Sequence, residues 1–191
     1  MIVRPSKEKL IQENFLEYSF DEDKVEDFIP DRKLFDKLNS AEQYYLAEHY
    51  NWDDGVEVLN WIIDSKKCDK GTAAMIFWKA EPDYYMERTL ATIEDYERDV
   101  FELLQKILLK FKNSKFKRSK LKFDPVAAGY DTNVQSQHEI WELPNELRSA
   151  TKGMTPISLG RFQELIWQWQ RNQRLKKREK RKAKRKQLNN R

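Results

Sequence analysis

Apolar side chains along this chain recur at intervals of three and four, and that spacing limits what it can fold into. Trp52, Val56, Leu59 and Ile63 trace one such line; Ala73, Ile76, Phe77 and Ala80 trace a second; Tyr96, Val100, Leu104, Ile107 and Phe111 trace a third. Such intervals place side chains on one face of a helix. Only Leu121 and Phe123, alternating with Lys120 and Lys122 ahead of Asp124-Pro125, show the two-residue period of a short strand. The expected fold is therefore mainly α: an irregular multi-helix bundle with at most one short strand segment and a long basic C-terminal helix or tail.

Punctuation residues set the expected boundaries. The first forty residues read as short amphipathic helices with turns near Ser19 and Pro30, offering Phe15, Phe20, Phe28, Leu34, Phe35 and Leu38. Ser40 with Gln43 reads as a capping box for a helix reaching about Tyr50, and Thr92 with Asp95 opens the strongest helix, which runs to Lys112. A short loop around Ser65 to Cys68 predicts an antiparallel helical hairpin, whose second helix Pro82 ends or bends. Residues 126–137 lack periodicity and read as a loop, and Pro144 begins a brief helical turn. Thr155 and Pro156, as cap and first helical residue, open a last helix with a stripe of Leu159, Phe162, Ile166 and Trp169.

Charge divides the chain more sharply than hydropathy does. The formal +4 splits into +11 over residues 171–191, which hold 12 Lys or Arg and one acid, and −7 over residues 1–170. Two parts follow: an acidic helical domain, 1–170, and a basic C-terminal extension, 171–191. With 36% charged residues and a mean hydropathy of −0.90, the chain is polar, yet 13% aromatic content supplies a core. A body of this length buries roughly two-thirds of its unfolded surface, so it needs no metal or disulfide. Cys68 is the single cysteine, which excludes an intramolecular disulfide and fits a reducing compartment. The opening residues lack the apolar run of a secretory signal, and charges interrupt every apolar stretch before a bilayer could be crossed. A cytoplasmic location with no transmembrane segment is expected.

The motif YNWDDG, Tyr50 to Gly55, places two carboxylates beside a tryptophan and a glycine. A helix N-terminus leaves its first amides unpaired and partly positive, so Asn51 reads as a cap and Asp54 as a carboxylate able to reach back to it. A calcium loop is excluded, because aligning Gly55 with the required glycine puts Tyr50 and Trp61 at carboxylate positions. Asp53 and Asp54, adjacent on a helix, would point about 100° apart and could not flank one bond. In CDKGTAAM, Asp69 reads as the cap of the next helix, and Gly71 as a place where another backbone can come close. These motifs, Asn51-Trp52-Asp53-Asp54-Gly55 and Cys68-Asp69-x-Gly71-Thr72, resemble those of the bacterial domain of unknown function family 4274. The resemblance covers roughly residues 40–80, with a weaker echo at Leu121 to Pro125, and implies a small, mostly helical domain with no assigned activity.

Catalytic constellations are sparse. His49 and His138 are the only histidines, so a nucleophilic dyad would have to use Cys68 with His49. Against it stands the ordinary role of a lone cysteine as a small buried hydrophobe. One cysteine cannot build a thiolate zinc site, and five scattered glycines make no phosphate loop, so no metal or cofactor is expected. The expectation is a non-enzymatic binding protein. Its basic tail would contact nucleic acid without sequence preference through Arg174, Lys176, Lys177, Arg178, Lys180, Arg181, Lys182, Lys184, Arg185 and Lys186. The tail could equally meet an anionic membrane surface or the chain's own acidic body. A second basic run, Lys106 to Lys122, interleaves Phe111, Phe116 and Phe123, which serve either as stacking platforms or as core. The acidic body would dock on a basic protein partner; as an immunity-type protein it would neutralise a cognate toxin.

Overall fold

A computed structural model describes residues 1–16 and 29–159. The expected apolar positions Phe20, Phe28, Phe162, Ile166 and Trp169, the boundary near 170 and the ten tail cations lie outside the described residues. The architecture is mainly helical, as the periodicity predicts. In chain order the elements are β1 (Ile2–Val3), α1 (Pro5–Ile11) running into a π-turn (Gln12–Leu16), α2 (Arg32–Phe35), α3 (Ser40–His49) and α4 (Glu57–Asp64). Then follow α5 (Lys70–Lys79), α6 (Pro82–Tyr85), α7 (Arg98–Lys112), α8 (Asn145–Arg148) and β2 (Ile157–Ser158).

Helix α3 is the hub. Every residue from Ser40 to Ala47 is buried, because β1, α1, the π-turn, α4 and α5 all pack around it. A helix buried on all sides must satisfy its own polar groups. Its capping box is built by Asn39 and Glu42, one residue before the expected Ser40 and Gln43. Asn39 accepts from the amides of Ala41 (2.9 Å) and Glu42 (3.1 Å), while the Glu42 carboxylate accepts from the Asn39 amide at 2.8 Å. Ser40 and Gln43 instead tie the helix to the following loop: Ser40 Oγ donates to the Lys67 carbonyl (2.6 Å) and Gln43 Nε2 to Ser65 Oγ (3.0 Å). Helix α5, buried from Gly71 to Trp78, lies chiefly against α3. The expected α4–α5 hairpin is thereby corrected: the Ser65–Cys68 turn exists, but α3 is the main neighbour of α5.

Two other expected helix starts move for local reasons. Glu94 is extended (φ −72°, ψ 150°), so the turn closed by Thr89 and Thr92 stops there and α7 begins only at Arg98, after a 3-10 turn. Tyr96, placed on the buried stripe by its spacing, is 81% exposed as a result. From Phe101 the stripe holds: Leu104, Ile107 and Phe111 are buried. At the other end of the chain, Thr155 and Pro156 do not open a helix. Ile157–Ser158 forms β2, parallel to β1 with Ile2 opposite Ile157, and Glu8 of α1 accepts from the Leu159 amide at 2.8 Å. This pair is the one sheet among the described residues.

Residues 118–123 are extended, but they pair through isolated bridges rather than in a sheet: Arg118 opposite Asp69, and Leu121 opposite Met154. Asp69 holds them. It is 1% exposed, and its carboxylate accepts from three backbone amides: Gly71 (3.0 Å), Lys120 (2.7 Å) and Leu121 (3.2 Å). The expected cap of α5 is thus also a clamp on a segment 50 residues downstream. Hydrogen bonds to a charged acceptor contribute about 1.5–3 kcal/mol each, so this carboxylate outweighs any surface ion pair in the body. Gly71 permits the approach, since a Cβ there would lie 2.2 Å from the Leu121 carbonyl oxygen. Gly153, at φ +119°, does the same from the other side, where a Cβ would lie 2.2 Å from the Lys120 carbonyl. Thr151 completes the edge, its hydroxyl accepting from the Phe123 amide at 2.8 Å.

Gly71→Ala separates two opposed effects. Alanine favours a helix by about 1 kcal/mol over glycine, whereas a backbone clash costs typically 1–3 kcal/mol. The clash is against main chain and cannot relax by a rotamer change, so urea unfolding will show a net loss of stability. A gain, as at an ordinary exposed helical glycine, would contradict the close approach.

Candidate functional site

The motif that most resembles an active site is a structural junction. Asn51 caps only a single 3-10 turn, Trp52–Asp54, accepting from the Asp53 amide at 3.2 Å. Gly55, at φ 80° and ψ −170°, breaks the backbone path, and α4 starts afresh at Glu57. A bulkier residue would be strained at that positive φ. Trp52 is half-buried against the core, while Asp53 is exposed. The second motif sits deeper: Cys68, Asp69, Gly71 and Thr72 are all buried at the start of α5.

The structure does not bring Cys68 and His49 together. Ser40, at the start of α3, is bonded to Lys67, so Cys68 lies near that end of the helix, whereas His49 is its last residue. Nine residues of helix separate the two ends by about 13 Å along the axis. Burial pushes the Cys68 thiol well above its ordinary range; the neighbouring carboxylates of Asp69 and Asp64 add to this, against an opposing pull from Lys110. A thiol so placed stays protonated and is a poor nucleophile. His49 directs Nδ1 to the Tyr45 carbonyl (2.9 Å), with its ring 4.3 Å from that of Tyr45. Among the described residues no group of three or more His, Cys, Asp or Glu is arranged to hold a metal.

Two neighbouring clefts open along the first half of α7 instead. One, about 370 Å³, is lined by Asp54, Gly55, Val56, Glu57, Asn60, Asp99, Glu102 and Lys106. Four carboxylates face one lysine there, and that lysine is engaged by Asn60 (2.5 Å) and Asp64 (3.2 Å). The other, about 580 Å³, is lined mostly by apolar groups: Thr89, Leu90, Ala91, Phe101, Gln105 and Ile140, with Glu102 on its edge. Leu90 is 61% and Ile140 43% exposed within it. Glu102 is common to both, so acidic and apolar surfaces are continuous. The sequence reading missed this junction because Leu90 and Ile140 stand 50 residues apart with no shared period; only the acids Asp99 and Glu102 were a visible signal.

A third cleft, about 270 Å³, lies near the other end of α7. Ile63, Asp64, Ser65, Lys66, Cys68, Lys110, Lys115, Phe116 and Lys117 line it. Here the second basic run is placed. Phe111, Phe116 and Phe123 are all buried, so the stacking platforms are core. Asp64 accepts from Lys110 (2.8 Å) and Lys106 (3.2 Å). Its partial burial raises its pKa, but those two hydrogen bonds and charges prevail and hold the carboxyl below its ordinary range. A depressed folded-state pKa means that the stabilisation is fully present above the unfolded value, about 3.9, and is lost as pH falls through the folded one. Asp64→Asn is therefore expected to lower stability at neutral pH and to converge with the parent below about pH 3, measured by urea unfolding across pH. A difference independent of pH would contradict the ion-pair account.

No helix among the described residues is long and apolar enough to cross a membrane. No curated protein and no solved structure matches the chain. Residues 39–112, from the cap of α3 to the end of α7, match the family described as Domain of unknown function (DUF4274), reaching past the motif pair and stopping short of Leu121 to Pro125, so that a DUF4274 segment makes up this part of the chain.

Proposed function

We propose that the protein is a non-catalytic binding protein whose helical body docks on a basic protein partner while its tail contacts nucleic acid. The observation that supports the body's role is the continuity of the acidic and apolar clefts through Glu102. A basic amphipathic segment suits such a surface: cations meet Asp54, Glu57 and Asp99, and apolar side chains fill the space between Leu90, Phe101 and Ile140. Acidic charge at the rim would speed encounter, and the apolar cleft would set residence time. Lys106, already engaged by Asn60 and Asp64, offers such a partner little repulsion. Neutralisation of a cognate toxin by an immunity-type protein is one form of this docking, favoured if the partner is a basic nuclease. The tail's role rests on the eleven net positive charges of residues 171–191.

The docking reading is tested with a fluorescent, amphipathic lysine–leucine helical peptide at low salt. Reversing three acids, Glu57→Lys, Asp99→Lys and Glu102→Lys, is expected to weaken its binding at least tenfold. The same number of reversals at Glu13, Asp83 and Glu87, exposed acids away from the clefts, should change it less than twofold. Equal losses in the two variants would reduce the effect to net charge and remove the reading.

A further inference from the structure

The segment from Lys115 to Lys122 alternates in a way that segregates charge from core. Lys115 and Lys117 flank buried Phe116, and Lys120 and Lys122 flank buried Leu121. In extended backbone, neighbouring side chains point to opposite sides, so burying the apolar residue turns both flanking cations outward. These four lysines and Arg118 are exposed. The segment is also fixed: Asp69 accepts from the amides of Lys120 and Leu121, the Lys70 amide donates to the Arg118 carbonyl at 2.9 Å, and Lys122 and Met154 donate to the Met154 and Lys120 carbonyls at 3.2 and 3.0 Å.

The acids nearby are already committed. Asp69 is spent on backbone amides, Asp64 on Lys106 and Lys110, Glu146 on Lys70 (2.7 Å), and Glu142 on Lys112 (3.8 Å). None of Lys66, Lys115, Lys117, Arg118, Lys120 and Lys122 forms an ion pair among the described residues. Three of these free cations, Lys66, Lys115 and Lys117, converge on the 270 Å³ cleft. Cations held this close without counter-charges repel one another, and that repulsion is relieved by a polyanion.

We propose that this cleft and the Lys115–Lys122 segment form a second nucleic-acid surface, in the body of the protein, which grips the phosphodiester backbone. It extends the nucleic-acid part of the reading above from the tail to the body, and rests on that reading only for the choice of polyanion. A row of five cations over a segment no longer than about 25 Å spans several phosphates of a duplex strand, which follow one another every ~3.4 Å of axis. A single small phosphate would occupy the cleft and leave Arg118, Lys120 and Lys122 unmatched. With Phe116 and Phe123 buried, the surface has no ring to stack on a base, so contact is with the backbone and carries no sequence preference.

The test is the salt dependence of binding to a short duplex DNA by the full chain. Replacing Lys115, Lys117, Arg118, Lys120 and Lys122 by Gln is expected to make the log–log slope shallower by about 4, at ~0.9 per phosphate released. Replacing the ten tail cations by Gln removes a separate share, so the two effects fall on different variants: an unmoved slope in the tail variant removes the tail reading and leaves the body surface standing. A slope change below 1 in the body variant overturns the proposal. So does an equal change when Arg4, Lys7, Lys9, Lys33 and Lys37 are replaced instead. Loss of binding to phosphatidylserine vesicles with duplex binding intact would overturn it as well, assigning the surface to a membrane. Thermal unfolding checks that the fivefold variant folds; if it does not, Lys115→Gln with Lys117→Gln alone should make the slope shallower by about 2.

Discussion

A buried carboxylate holds this structure together. Asp69 caps α5 and, with the same two oxygens, fixes the amides of Lys120 and Leu121. An unpaired charge at 1% exposure would be expensive, and a backbone segment with free amides would be costly to bury. Each cancels the other's penalty. Everything after α7 is positioned from this junction: Leu121 enters the core, Thr151 and Met154 pair with the segment's far edge, and Tyr44 of α3 donates to the Lys122 carbonyl at 3.2 Å. The geometry also demands small residues, which accounts for Gly71 and Gly153 more fully than any turn would.

What the sequence reveals follows from the range of the interaction involved. Helical periodicity is local, and α4, α5 and the main part of α7 lie where the apolar spacing puts them. The cap at Asp69 is local too, and the space needed at Gly71 is readable because glycine in the first turn of a helix has little other use. What escapes is set across the chain. Asn39 takes the cap because Ser40 is drawn to Lys67, 27 residues away. Thr155 and Pro156 lead into β2 because the N-terminal Ile2–Val3 offers a strand partner. The motif at Asn51 to Gly55 reads as one helix start, but glycine's positive φ splits it into a 3-10 turn and a fresh helix. The clefts are the least legible, since their walls come from segments with no sequence relation.

Charge is the second organising feature, and it is finer than an acidic body with a basic tail. Along α7 the acids Asp99 and Glu102 precede the bases Lys106, Lys110 and Lys112, an order that complements the helix dipole. The same order sets an acidic, partly apolar surface near one end of the helix and a cation-lined cleft near the other. The two are separated by about 16 Å of helix between residues 99 and 110. A body polarised in this way can hold a basic protein and a nucleic-acid backbone at once, with α7 and the Asp69 junction as its rigid frame. The DUF4274 match covers the acidic surface's α4 and α7 walls but ends before the basic segment.

The central claim is that the Asp69 carboxylate locks residues 118–121 into the core as part of one cooperative unit. Native-state hydrogen exchange of the Lys120 and Leu121 amides addresses it directly. The account predicts that both exchange only when the whole protein unfolds, with protection equal to that of the α3 amides of Leu46 and Ala47. Exchange of these two amides by local opening, at the rates of exposed loop amides while α3 stays protected, would contradict it.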